Sequence, residues 1–217
     1  SAASDVYKRQ LLWKYMGDKK RMDHRRTSVT LYSPQAQIVL DVLDRDGICF
    51  SRREYVQKKY EESAPVFLSA YDWFVKAAKA HVPKPQGAEY PYWAFKSPEN
   101  VDPSAGGRIL VLRVPLDEAV FFSLYDWNKI LCLSYMGKTE KEEKEFRQTL
   151  LEYGIRRESD LILTNFYPEL KRQVMESWNR LFSHDQAIRK AISEKQPLSG
   201  VQAGLWCIKK EWVMGQD

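Results

Sequence analysis

The residues of this chain best suited to chemistry are a few polar side chains set among aromatic rings. They are Ser69 and Tyr71-Asp72-Trp73, Tyr90-Pro91-Tyr92-Trp93, Tyr125-Asp126-Trp127-Asn128, Asn165-Phe166-Tyr167, and the separate Tyr32, Gln202 and Glu211. A ring beside a hydroxyl, amide or carboxylate can stack a base or a nicotinamide and hydrogen-bond a ribose. The same combinations also build structure. Asp72 and Asp126 can serve as surface pairs or helix caps, Asn165 can make a turn before Pro168, and Trp and Tyr rings can fill a core with one wet edge. Other chemistries have no carrier here. The chain has no G-x-G-x-x-G, no phosphate-binding G-x-x-x-x-G-K-[ST], no H-E-x-x-H and no G-x-S-x-G. Its three histidines, His24, His81 and His184, are scattered, so no metal is expected. Cys49, Cys132 and Cys207 are odd in number and far apart without a C-x-x-C, which predicts reduced core thiols.

The elements that must position these groups can be read from periodicity and punctuation. Ser28–Tyr32 predicts a strand. Ser33-Pro34 then reads as a capped helix start, with Ala36, Val39, Leu40 and Leu43 on one face and Gly47 as the stop. Ile48–Phe50 is a second short strand, and Arg52–Tyr60 a charged helix or loop. From Ser63 the spacing of Val66, Ala70, Trp73, Phe74, Ala77 and His81 predicts an amphipathic helix, with Ser63 as its cap and Asp72 paired to Lys76. Pro83 and Pro85 end it. Tyr90–Phe95 is an aromatic strand whose Pro91 argues for a sheet edge or the strand's first residues.

Arg108–Val114 is the clearest strand, apolar enough to suggest burial on both faces. Ala119–Phe122 follows after a turn. Thr139 and Glu142 make a capping-box pattern ahead of a charged helix with Phe146, Leu150 and Tyr153 as its stripe. Leu161–Leu163 is a short strand or the approach to a helix that begins at Pro168 and faces inward with Leu170, Val174, Trp178, Leu181 and Phe182. A short polar helix spans Asp185–Glu194. Val201–Val213 reads as one closing strand, which places Glu211 on the strand face shared by Lys209 and Val213. The expected architecture is a single α+β domain, a small mixed or antiparallel sheet flanked by amphipathic helices.

Charge locates the domain within the chain. The 217 residues carry a formal net charge of +5, but eight of the 34 bases and three of the 29 acids fall in residues 1–27, leaving 26 of each beyond. The body 28–217 is therefore charge-balanced, which argues against nucleic acid as its partner. Residues 1–27 read as a non-native or disordered basic extension. Ser4–Gln10 resembles translated adapter read-through at the ends of metagenomic assemblies, with Met16 or Met22 as the expected natural start. No apolar run is long enough to span a membrane and no signal peptide is visible, so a cytoplasmic protein is expected.

Taken together, LYSPQ (31–35), FLSAYDWFV (67–75), GAEYPYWAF (87–95), LRVPLDEAVFFSLYDWN (112–128), ESDLILTNFYP (158–168), ESWNRLF (176–182) and VQAGLWCIKKEW (201–212) resemble the bacterial family catalogued as domain of unknown function 3841. The resemblance covers about residues 29–213 and implies no activity. Cys207 stands where the family's closing pattern is expected to carry an acid. In layout the chain is also similar to small NAD-dependent ADP-ribosyltransferases. That resemblance implies NAD as substrate, with Tyr32 on the first strand positioning it. Ser69 or Tyr71 would lie near the nicotinamide, and Gln202 or Glu211 would support the ribose from a late strand; Trp93 is a further candidate binding residue by its own type. Gln202-Ala203-Gly204 departs from the Q/E-x-E spacing of that layout by lacking its acid. Two functions stay open at this point: ADP-ribosyl transfer or related nucleotide-ribose chemistry, and a non-enzymatic protein- or nucleic-acid-binding module using exposed Trp and Tyr. A cleft or a flat aromatic patch would distinguish them.

Overall fold

The computed structural model describes residues 27–102 and 107–216; the basic extension lies outside them apart from Thr27. Alternation of side chains sets the sheet. In β1 (Ser28–Gln35) the residues Val29, Leu31, Ser33 and Gln35 are buried, and in β4 (Arg108–Pro115) Leu110, Leu112 and Val114 are fully buried. The two strands pair antiparallel over eight positions, from Ser28 opposite Pro115 to Gln35 opposite Arg108. With β3 (Tyr92–Phe95), β5 (Ala119–Ser123), β6 (Val201–Leu205) and β8 (Val213–Gln216) they form a six-stranded antiparallel sheet in the order β5-β6-β3-β1-β4-β8. A two-stranded ladder joins β2 (Ile48–Cys49) to β7 (Ile208–Lys209).

Helices cover both faces. On one lie α3 (Ala64–Ala78), α4 (Leu124–Leu131), α5 (Glu140–Glu152), α6 (Glu158–Leu163) and α7 (Pro168–Ser177), packed with Val120, Phe122 and Trp93 of the sheet. On the other, α1 (Gln37–Asp46) and α8 (Asp185–Ser193) contribute Val39, Leu40, Leu43 and Ile188 to a core with Leu31, Ala94, Phe121 and Leu205. The remaining helix, α2 (Arg53–Tyr60), buries only Val56 and leads through Glu61, a non-glycine residue at φ 46°, into α3. This is the expected α+β class, with a sheet that is antiparallel throughout.

Several local expectations change. Ser33-Pro34 does not start a helix: β1 runs on to Gln35, and α1 begins at Gln37 after Ala36 without a side-chain cap. The Ser33 hydroxyl instead donates to the carbonyl of Trp93 across the sheet at 2.6 Å. Ser63 closes a 3-10 turn, Glu61–Ser63, and makes no cap hydrogen bond. Asp72 pairs with Arg53 rather than Lys76. Only one face of β4 is buried, because Ile109 and Val111 are half-exposed and Arg113 is exposed. Tyr153 is exposed and Leu161–Leu163 ends a helix. The closing segment is three pieces: β6, the β7 pair with a 3-10 turn at Lys210–Trp212, and β8. Gly47 does end α1, in the left-handed region at φ 74° that an L side chain avoids. Thr139 caps α5 by accepting from the Glu142 amide, while Glu142 reaches back to the Lys138 amide.

Buried polar groups are few. Asp185, 2% exposed, accepts the Phe121 amide of β5 at 2.8 Å and pairs with Arg189 at 2.7 Å. Arg189 then donates to the carbonyls of Leu116 and Ala119. No described helix is long and apolar enough to cross a membrane.

Candidate functional site

A cleft of about 900 Å³ opens where β1 and β3 part. β3 pairs with β6 along its whole length, yet with β1 only at Tyr32 opposite Phe95. Beyond that pair the side-chain bond from Ser33 to the Trp93 carbonyl replaces the backbone ladder, and Gln35 Nε2 supports Ser33 Oγ at 2.9 Å. Residues from both faces of the sheet consequently line one space.

Its inner wall is aromatic. Trp93 projects from β3 toward α3, where its indole N–H donates to the Tyr71 hydroxyl at 2.7 Å. Trp127 of α4 lies 4.7 Å from the Trp93 ring centroid, and Tyr71 meets Trp93 edge-on at 5.2 Å. Tyr60, at the end of α2, stacks on Phe67 at 3.6 Å and also lines the cleft. Such edge and offset contacts lock the rings, so the wall is preorganised. An Arg53–Asp72–Tyr90 clasp holds α2 against α3: Arg53 donates to Asp72 at 2.5 Å and the Tyr90 hydroxyl to the same carboxylate oxygen at 2.6 Å.

The polar groups in this wall are uncharged. Burial, first of all, pushes the Tyr71 and Tyr92 hydroxyls well above the ordinary phenol range. Burial likewise raises the Cys49 thiol, which lies 3.0 Å from the Tyr92 hydroxyl. The Cys207 thiol nearby is pushed up to about 11 for the same reason. Neither thiol is a thiolate nucleophile at neutral pH. Against this background Gln202 stands out. It is 3% exposed, lines the cleft, and its amide oxygen Oε1 has no hydrogen-bond partner. A buried acceptor left unpaired costs on the order of 1–3 kcal/mol, which a ligand's hydroxyl or N–H would relieve.

Of the residues singled out from sequence, Tyr71, Trp93 and Gln202 come together in this wall. Tyr32 does not line it. It is half-buried on the same sheet face as its partner Phe95, which does. Ser69 turns away, its hydroxyl donating to the Pro65 carbonyl at 2.8 Å. Glu211 is exposed on the 3-10 turn, so it shares no strand face with Lys209 and Val213 and lies outside the cleft lining. The site around Gly204 has no room for a side chain. A Cβ on Gly204 would sit 2.7 Å from Cζ of Phe74, so that ring occupies the space a side chain would need.

The two Tyr-Asp-Trp triplets are used in opposite senses. In the first, Tyr71 faces the cleft and Trp73 packs on Trp178 at 5.5 Å. In the second, Trp127 faces the cleft while Tyr125 is exposed against Gly200. Trp127 and Asn128 belong to the polar-aromatic set visible in sequence. Gln35 lies in the quoted LYSPQ stretch, whereas Tyr55, Lys59 and Tyr60 belong to no sequence motif. Among the described residues no cluster of His, Cys, Asp and Glu could hold a metal ion.

No curated protein and no solved structure matches the chain. A family model does, over residues 30–214, nearly all of the described domain. The chain belongs to the family described as Domain of unknown function (DUF3841).

Proposed function

We propose that the cleft binds a nicotinamide nucleotide and that the domain carries out ADP-ribosyl transfer or closely related nucleotide-ribose chemistry. The observation that carries this reading is the unpartnered, buried amide oxygen of Gln202 in an aromatic cleft. The segments that the layout resemblance puts to use lie on neighbouring strands β1, β3 and β6, with α3 beside them.

The nicotinamide ring of NAD is a planar cation, and the half-buried Trp93, backed by the buried rings of Trp127 and Tyr71, offers it stacking and a negative quadrupole. Rupture of the bond between ribose C1′ and the ring nitrogen lets nicotinamide leave with the bonding pair, and positive charge develops on the ribose. The negative end of the Gln202 amide dipole accepts a ribose hydroxyl and faces that charge, a fixed group of the kind that stabilises a transition state without reorganising. An acceptor nucleophile then forms the new bond to C1′ and loses its proton to solvent. Gln202 thus takes the late-strand place, and Glu211 has no role.

The test is calorimetry with NAD together with measurement of nicotinamide release. Submillimolar binding that Gln202→Leu weakens at least about tenfold, the worth of one buried hydrogen bond, supports the reading. Glu211→Gln leaves binding unchanged. Absence of NAD binding at millimolar concentration overturns it.

A second reading rests on a different surface. Phe166 is 84% exposed, and Tyr153, Leu163 and Tyr167 are exposed at the same end of α5 and α6. Tyr167 meets Tyr153 edge-on at 5.5 Å. Rings left in water together favour a protein-binding module. Phe166→Ser separates the two readings, because it weakens partner capture and leaves nucleotide binding untouched.

A further inference from the structure

The charge inventory of the cleft has a consequence for how a nucleotide lies in it, and this inference rests on the nucleotide reading above. Among the described lining residues Lys59 is the single cation and Asp102 the single carboxylate. Lys59 occupies the last turn of α2, exposed to water, and makes no ion pair with any described residue. Its ammonium lies 5.3 Å over the ring of Tyr60, which places it at the outer end of the aromatic wall. The inner end, at Gln202, is uncharged. A nicotinamide dinucleotide has a matching polarity, with a flat ring at one end and two phosphate charges some distance away.

We infer that Lys59 is the specificity-determining residue for phosphate-bearing ligands: it holds the pyrophosphate at the mouth while the ring and its ribose lie inward against Trp93 and Gln202. A lysine does this as a point charge on a flexible stem, so one residue can serve either phosphate. The place of Lys59 on α2 adds a second feature. That helix buries a single side chain, is held by the exposed Arg53–Asp72 clasp, and joins α3 through Glu61 in a backbone region that non-glycine residues avoid. Ligand phosphates therefore meet a lightly packed wall of the cleft.

The experiment compares NAD with nicotinamide riboside, which keeps the ring and ribose but has no phosphate. Binding of each to the full chain is measured by calorimetry at low and high salt. The parent protein binds NAD the more tightly, and the advantage shrinks with salt because the contact is electrostatic. Lys59→Ala lowers NAD affinity by roughly five- to tenfold, the scale of one partly exposed charge-assisted contact, and leaves nicotinamide riboside unchanged. Lys59→Arg restores the difference. A lysine that merely complements the helix terminus would alter stability and not this ratio. Equal effects on both ligands, or no effect on NAD, overturn the assignment of Lys59 while leaving the nucleotide reading intact. Binding of neither ligand by the parent protein overturns both.

Discussion

Asp185 and Gln202 are almost equally hidden, at 2% and 3% exposure, yet their surroundings differ in kind. Asp185 receives the Phe121 amide and the Arg189 guanidinium, and Arg189 in turn satisfies two carbonyls. Gln202 keeps an amide oxygen with no partner within the chain, in a wall where burial keeps the Tyr71 and Tyr92 hydroxyls neutral. A buried polar group whose hydrogen bonds are all met within the chain serves the fold. One that meets no partner within the chain and borders a cavity is placed to bond whatever enters that cavity.

The contrast is most easily broken at the satisfied end. Asp185→Ala leaves Arg189 partly buried without its carboxylate and the Phe121 amide without an acceptor. The expected loss is about 3–5 kcal/mol of unfolding free energy in a denaturant titration. A loss below about 1 kcal/mol would show that the network is slack. Next in size is Gly204→Ala, which sets a methyl against the Phe74 ring and costs about 1–3 kcal/mol by overpacking. If it costs nothing, the packing between Gly204 and Phe74 is deformable.

At Gln202 the sign reverses. Gln202→Leu keeps the volume and removes the unpaired oxygen, so the protein gains up to about 1 kcal/mol of stability while losing ligand. A destabilised variant would mean that the amide already has a structural duty. The smallest effect belongs to the clasp. Asp72→Asn weakens an ion pair whose side chains are 45% and 42% exposed, and changes stability by less than about 1 kcal/mol.

Much of the fold is legible before any coordinates. The stripe through Trp73 and Phe74, the Thr139–Glu142 cap, Pro168 at a helix start and Gly47 at a helix end each rest on local chemistry, and local chemistry decided them. The misreadings occur where a residue answers to a distant partner. Ser33-Pro34 has the pattern of a helix start, but the Ser33 hydroxyl is committed to a carbonyl 60 residues away. The break after Leu205 carries no proline or glycine, so Val201–Val213 looks continuous although the chain leaves one sheet for another there. The site divides in the same way. Tyr71, Trp93 and Gln202 stand out by type, whereas Lys59 and Tyr60 join them through the docking of α2 on α3, held by the Arg53–Asp72 pair and the Tyr60–Phe67 stack. An unbroken strand would carry Glu211 on the face of Lys209 and Val213, and the chain leaves that strand at Lys210.

The Asp185–Arg189 pair has a further consequence, for solubility. β5 is the last strand of its sheet, and a terminal strand offers its free N–H and C=O groups as a template on which another chain can add. Helix α8 fills those positions with side-chain atoms, an acid on the amide of Phe121 and a guanidinium on the carbonyl of Ala119, and the same guanidinium reaches the Leu116 carbonyl in the turn before the strand. The two charges imitate the hydrogen bonds of a neighbouring strand and end the sheet there. Losing either one would uncover a strand whose buried residues include Val120, Phe121 and Phe122, and the damage would emerge as self-association on heating as well as a lower midpoint.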